Sequence, residues 1–290
     1  MQTKKGNKVN KLASLFISLM LFGNSLPSSA WAGYTYTEII TPPCLSAGAN
    51  AINNVGDIIG GIVDATDYMD KGFLYSGGHY TEIVPPDWDG SYAEDINDSG
   101  AIVGYGLDKN GVGKGFLYSG GHYTEIIPPD WREAGANAIN DGGDIVGKGS
   151  NTNDVYKGFL YSGGNYTEIK PPQWYAASAW AINDSGDIVG SGYAVDGYKK
   201  GFLYSGGNYT RIIPLDGIAA AAYDINNVGD IVGYGVDANY VTKGFVATLQ
   251  SVCMTWADVI SKYNTYVSGQ ASWNDVITCY SQYVSSEKSK

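Results

Sequence analysis

The sequence predicts an all-β repeat protein closed into a ring, with a short helical tail. Three observations lead there. Lys-Gly-Phe occurs five times, at Lys71, Lys114, Lys157, Lys200 and Lys243, in steps of 43 residues, and a fixed period of that size marks a repeat architecture. Each unit holds four short strand-like segments separated by two tight turns and two longer loops, the usual content of a propeller blade. The chain ends are complementary. Tyr36–Ile39 has no Lys-Gly-Phe segment before it, and Lys243–Leu249 has no Tyr-Thr-Glu-Ile after it. Pairing the two removes both open edges. The expectation is a five-bladed β-propeller closed by pairing of its N-terminal and C-terminal strands, followed by two helices. The predicted divisions are 1–32, 33–250 and 251–290.

The elements follow in chain order. Residues 1–32 combine a basic start (Lys4, Lys5, Lys8, Lys11), a short apolar run from Leu12 to Phe22 and an Ala30-Trp31-Ala32 site. That is the pattern of a secretory signal peptide, so the mature chain is expected to begin at Gly33 and to be extracellular. In the second unit, Tyr92–Asn97 ends in Ile-Asn. Asn97-Asp98-Ser99-Gly100 is a turn, and Ala101–Tyr105 is an apolar strand. After a variable loop, Lys114–Ser119 and His122–Ile127 form a hairpin around Gly120-Gly121. Pro128-Pro129-Asp130-Trp131 then stops the pairing, because proline has no N–H for the ladder. The first strands read Ala-Gly-Ala-Asn-Ala-Ile-Asn at 47–53 and again at 134–140, and small side chains there allow close approach at the centre. In the hairpins, Tyr75 is expected to face Tyr80, with Lys71 diagonal to Glu82.

The cadence Ala181-Ile182-Asn183-Asp184-Ser185-Gly186-Asp187-Ile188-Val189-Gly190, followed by a Phe-Leu-aromatic segment and a Gly turn, resembles the HAF-type extracellular repeat of secreted bacterial proteins. The resemblance covers about 33–249. It departs where the name-giving His-Ala-Phe stands here as Lys-Gly-Phe. It implies an exported repeat protein and brings no catalytic residues.

The tail carries a 17-residue repeat, starting at Trp256 and at Trp273. Trp256, Val259, Ile260, Tyr263 and Val267 have helical spacing. Thr255 with Asp258, and Ser272 with Asp275, read as capping boxes. Two helices this short bury little alone, so they pack on the ring or on a partner.

Composition narrows the function. Removing the leader's four lysines and no acid takes the formal net charge from −11 to −15. That disfavours nucleic acid and anionic membranes, and no long apolar run points to membrane insertion. Of three cysteines, Cys253 and Cys279 are the candidate bridge, although spacing does not fix connectivity. Cys44 stands where later units have Trp88.

No catalytic residue, metal set or cofactor is expected. His79 and His122 are the only histidines, and Asn165 and Asn208 replace them in other units. Asp95-Ile96-Asn97-Asp98 resembles the start of a calcium loop, but position 12 is Gly106 rather than a carboxylate. A turn whose Asn and Asp bond the local backbone explains it better. Asp95, Asp224 and Glu94 keep a carbohydrate-active enzyme open, without a spacing that singles out a pair. The leading expectation is a secreted, non-enzymatic propeller that binds glycan or another repetitive ligand. Its contacts are Trp88, Trp131 and Trp174, in the variable Pro-Pro-x-Trp loops of one face. The alternative use of these indoles is to cap the crevices between blades. The alternative function is a surface or matrix protein whose tail helices dock on a protein partner.

Overall fold

The computed structural model describes residues 38–39, 41–214, 217–248, 255–267 and 273–288. Two units divide the chain, 1–39 and 40–290. The expected leader at 1–32 lies outside the described residues, and so does most of the expected closing strand, Tyr34–Ile40. Of that strand Glu38 and Ile39 are described, and neither is in a strand.

The second unit is a propeller-like series of antiparallel sheets. The first sheet is β1 (Cys44–Ile52), β2 (Ile58–Asp64), β3 (Asp70–Ser76) and β4 (His79–Ile83). The second is β5 (Trp88–Ile96), β6 (Ile102–Asp108), β7 (Gly113–Ser119) and β8 (His122–Ile126). The third is β9 (Trp131–Ile139), β10 (Ile145–Asn151), β11 (Tyr156–Ser162) and β12 (Asn165–Ile169). The fourth is β13 (Ala176–Ile182), β14 (Ile188–Tyr193), β15 (Lys199–Ser205) and β16 (Asn208–Ile212). The fifth has three strands, β17 (Gly217–Ile225), β18 (Ile231–Asp237) and β19 (Thr242–Ala247).

The repeat residues explain each unit. Gly77 and Gly78 both take positive φ, 57° and 83°, which a two-residue hairpin needs and a side chain resists. The turn sets the register, so Tyr75 pairs with Tyr80, and the equivalent rings Tyr161 and Tyr166 lie 4.8 Å apart. Lys114 and Lys157 reach Glu125 and Glu168 at 3.0 and 2.6 Å. Lys71 instead bonds Asp64 and Asp67. In the fourth unit Arg211 replaces the glutamate, and Lys200 turns to Asp196.

The Ile-Asn turn ties sheet to sheet. Asn97 Oδ1 accepts the Ala101 N–H within its own turn, while Asn97 Nδ2 donates to the Asn140 carbonyl of the next sheet. Asn53, Asn140 and Asn183 repeat the outward bond to Asn97, Asn183 and Asn226. Main-chain N–H groups of Asn54, Asp98, Asp141 and Asp184 donate to the side chain of the next unit's Asp or Asn. Four apolar crevices lie between successive sheets. Each is centred on buried isoleucines, and the first three add a fully buried Phe116, Phe159 or Phe202.

The expectation of five complete blades closed into a ring is corrected. Among the described residues the fifth sheet has three strands, and the ladder of asparagines stops at its turn. Among the described residues Asn226 Nδ2 reaches only its own Asp230, at 3.4 Å. Among the described residues no strand covers either end face. Ile52 is 66% exposed, whereas Ile139, in the same Ala-Gly-Ala-Asn-Ala-Ile segment, is 6% exposed. Val232 of the fifth sheet is 42% exposed, while its counterparts Val103, Val146 and Val189 are fully buried. The Tyr166 and Tyr209 hydroxyls accept N–H groups of Ile127 and Lys170, just past the last strands of the preceding sheets. The buried Tyr80 hydroxyl of the first sheet has no such partner among the described residues. Ile52 and Val232 therefore lose the packing of their counterparts where no described sheet lies against them.

The helical tail is present as α1 (Trp256–Val267) and α2 (Trp273–Lys288). Thr255 and Asp258 form the expected capping box, with Thr255 N–H donating to Asp258 at 2.8 Å and Asp258 N–H to the Thr255 hydroxyl at 3.2 Å. The other expected box involves Ser272, outside the described residues. Val259, Cys279 and Tyr283 pack between the helices, while Trp256, Ile260 and Val267 are exposed. Cys279 is disulfide-bonded and Cys44 is free. Cys253, the expected partner, lies outside the described residues. Among the described residues no helix is long and apolar enough to cross a membrane.

Candidate functional site

The first strands of the sheets, β1, β5, β9, β13 and β17, share one local irregularity. In β5, Ala93 pairs with Gly104 and Asp95 with Val103, so Glu94 is an extra residue opposite no partner. Asn50, Asn137, Trp180 and Tyr223 occupy the same bulge in the other sheets. A bulge re-aims its side chain and sharpens the local twist. The strand opposite must supply glycine. A Cβ on Gly147 would lie 2.1 Å from the Gly135 carbonyl oxygen and 2.7 Å from the Phe159 ring.

Four of the five bulge residues, Glu94, Asn137, Trp180 and Tyr223, converge with residues of the neighbouring strands on a cavity of about 490 Å³. Its walls include Glu94, Tyr105, Lys148, Trp180 and Tyr223, from the second to the fifth sheets. Gly113, Glu133 and Tyr156, next to the long loops, place its mouth at the loop-bearing end. The aromatic wall is held in place. The Trp180 indole N–H donates to the Ser191 hydroxyl at 2.9 Å. The Tyr223 ring meets Trp180 edge-on at 6.2 Å and Tyr234 at 5.7 Å. Tyr105 stacks on Tyr92 at 5.1 Å.

The charged groups differ in how well they are met. Glu133 accepts from the Ser150 and Tyr156 hydroxyls at 3.0 and 2.9 Å. Lys148 lies over the Trp180 ring, 4.2 Å from its centroid. No hydrogen bond or ion pair joins Lys148 to Glu94 or to any other described residue, and Glu94 has none either. Burial pushes the Glu94 carboxyl up and the Lys148 ammonium down, each opposed by the other's charge. Beneath them, burial raises Asp95 to about 6, although its carboxylate accepts the Ile139 and Ile96 N–H groups, each at 2.9 Å.

The sequence-expected contacts lie elsewhere. Trp88, Trp131 and Trp174 are half-buried at the starts of the second to fourth sheets. Each follows a residue of positive φ, Asp87, Asp130 or Gln173. Each N–H bonds back to the first proline of its Pro-Pro-x-Trp turn at 3.2 Å. The indoles meet Phe116, Phe159 and Phe202 edge-on, with ring centroids 6.1, 6.0 and 6.0 Å apart. One geometry thus recurs three times, and none of these indoles lines the central cavity. His79 and His122 are exposed at the starts of β4 and β8. Asp224 sits in β17 with its carboxylate on the Ile225 N–H.

Sequence reasoning passed over Lys148, Trp180, Tyr105 and Tyr223. A signal was present. In the Ala-x-Ala or Ala-x-Asp step before Ile-Asn, the central residue changes in nearly every unit while its neighbours hardly do.

No protein-family model matches the chain, and no curated protein matches it in sequence. Solved structures similar in fold include the six-bladed fucose-recognising lectin of Aleuria aurantia, at 13% identity and TM-score 0.39, over 70% of this chain and 74% of the lectin. Another is the BP39L lectin of Burkholderia pseudomallei, at 13% identity and TM-score 0.43, over 73% and 70%. A third is an acylaminoacyl peptidase of Pyrococcus horikoshii, at 13% identity and TM-score 0.44, over 66% of this chain and 32% of that one. The six blades of the Aleuria lectin differ from the five sheets here. Lectins and a peptidase stand together in this group, and the likeness is one of fold alone.

Proposed function

We propose that the chain is a secreted, non-enzymatic binding module that holds glycan, or another repetitive extracellular ligand, at the loop-bearing end of its sheets. Trp88, Trp131 and Trp174 are its contacts. The observation that carries this reading is the same half-buried indole in the same turn of three successive sheets. A flat apolar face with a donor at its edge suits a sugar ring. Three equivalent weak contacts on one chain gain avidity on a repetitive polymer. The resemblance to exported HAF-type repeats supports the location. Native affinity electrophoresis in gels cast with soluble plant and microbial polysaccharides tests it. The wild-type chain should be retarded, and a Trp88/Trp131/Trp174→Ala variant of unchanged circular dichroism should not. Equal mobility of both in every gel overturns it.

A second reading is favoured by the exposed Trp256, Ile260, Val267, Trp273 and Ile277 of the tail. Here the helices dock on a protein partner and retain the chain at a surface. Removing 251–290 would then abolish retention while the sheets stay folded.

A further inference from the structure

The central cavity differs from the tryptophan turns in being present once. The bulge positions carry Asn, Glu, Asn, Trp and Tyr in order, and the facing positions carry Gly61, Tyr105, Lys148, Ser191 and Tyr234. The framework around them is constant. The Ile-Asn turns, the glycines opposite each bulge and the Phe rings recur in nearly every unit. Within the strand framework, divergence is therefore concentrated on the bulge and facing positions, and only one combination puts a carboxylate, an ammonium and a tryptophan together at the cavity.

We infer that this cavity is a separate, single-copy site for one neutral mono- or disaccharide, with Glu94 accepting from and Lys148 donating to its hydroxyls, and Tyr105 and Tyr223 against its ring. The cavity, about 490 Å³, is of ordinary size for a small ligand. Glu94 and Lys148 face it half-buried without pairing to each other or to other described residues. A half-buried charge without a hydrogen-bond partner is costly. A hydroxyl offers both a donor and an acceptor, so adjacent hydroxyls satisfy both groups at once. An anionic ligand would meet Lys148 but oppose Glu94 and Glu133, and a cationic one would do the reverse at Lys148. The indole face of Trp180 is already taken by Lys148, so Trp180 acts here by positioning the ammonium. The burial-driven shifts of Glu94 and Lys148 agree with two charges held short of full solvation.

The test is a chemical-shift titration of the indole N–H signals of the ¹⁵N-labelled chain. Trp180 is assigned by its loss in Trp180→Phe. The probes are the methyl glycosides of glucose, galactose, mannose, fucose, xylose and N-acetylglucosamine, with glucuronate and glucosamine as charged counterparts. At least one neutral glycoside should move the Trp180 signal and saturate. Glu94→Gln and Lys148→Met, both at half-exposed positions, should each weaken it about tenfold or more, as expected for losing a hydrogen bond to a charged group. The Trp88/Trp131/Trp174→Ala variant should keep this binding unchanged, which separates the site from the multivalent reading above. The inference is overturned in any of three ways. One is that no neutral glycoside moves the signal at about 50 mM, well above the range expected for hexose-sized ligands. Another is that a charged probe binds more tightly than every neutral one. The third is that neither single variant weakens binding.

Discussion

Ile52 and Ile139 end two copies of one hexapeptide, Ala-Gly-Ala-Asn-Ala-Ile, in the first and third sheets. Local propensity and strand register are the same for both, so a difference in their energetic weight reports what covers the face. Ile139 is 6% exposed in the crevice with Val103, Ile126 and Phe159, and Ile52 is 66% exposed. Truncation to alanine in a packed crevice costs the transfer energy of the lost methyl groups and the cavity left behind, about 2–4 kcal/mol. At an exposed position the change stays within about 0.5 kcal/mol. Urea unfolding of the full chain, followed by tryptophan fluorescence, measures both, with the m-value checked for loss of cooperativity. Ile139→Ala should lower the midpoint clearly and Ile52→Ala hardly at all. Equal losses would refute the open first face, because they would require a neighbour packed against Ile52.

Three further predictions use the same contrast of repeats. Asn140→Ala strands the Asp144 N–H and the Asn183 carbonyl and should cost about 2–3 kcal/mol. Asn226→Ala, whose Nδ2 meets only Asp230 among the described residues, should cost clearly less in the same urea assay, and equal costs would contradict the broken ladder. Burial raises Asp95 to about 6, above its unfolded value, with Asp224 and Glu94 adding repulsion. The folded chain then holds that proton more tightly, so this group's contribution falls as pH rises from about 4 to about 6 and is level on either side. Asp95→Ala, the residue already present at Ala51, Ala138 and Ala181, should remove that slope from stability measured against pH. An unchanged slope sinks the assignment. Gly147→Ala puts a Cβ against the Gly135 carbonyl and Phe159 and should cost about 1–3 kcal/mol or more. Gly48→Ala on the open face, with nothing within 4 Å of its Cβ, should be mild. Thermal unfolding of the pair decides.

The sheets were legible because their signals are local. Gly77-Gly78 demands positive φ, and that turn alone sets the Tyr75–Tyr80 pairing. Asn97 closes its own turn, and Thr255-x-x-Asp258 caps its own helix. The central site was not legible for a reason seen in Glu94. Alternation along a strand assigns a face to each residue, and a bulge shifts that assignment by one. Lys148 and Trp180 are far apart in sequence, and their meeting depends on how two sheets pack. Ring closure failed for the opposite reason. The complementary ends are real in the sequence, yet Ile52 and Val232 keep the exposure of end sheets, and among the described residues Asn226 makes no bond to a further sheet.

The most direct test of the account is a glycan array probed with residues 33–290 beside the Trp88/Trp131/Trp174→Ala variant of confirmed fold. The account predicts density-dependent binding by the wild-type chain that collapses in the variant, because avidity needs all three indoles. Undiminished binding by the variant, or no binding by the wild-type chain at the highest density, would contradict it.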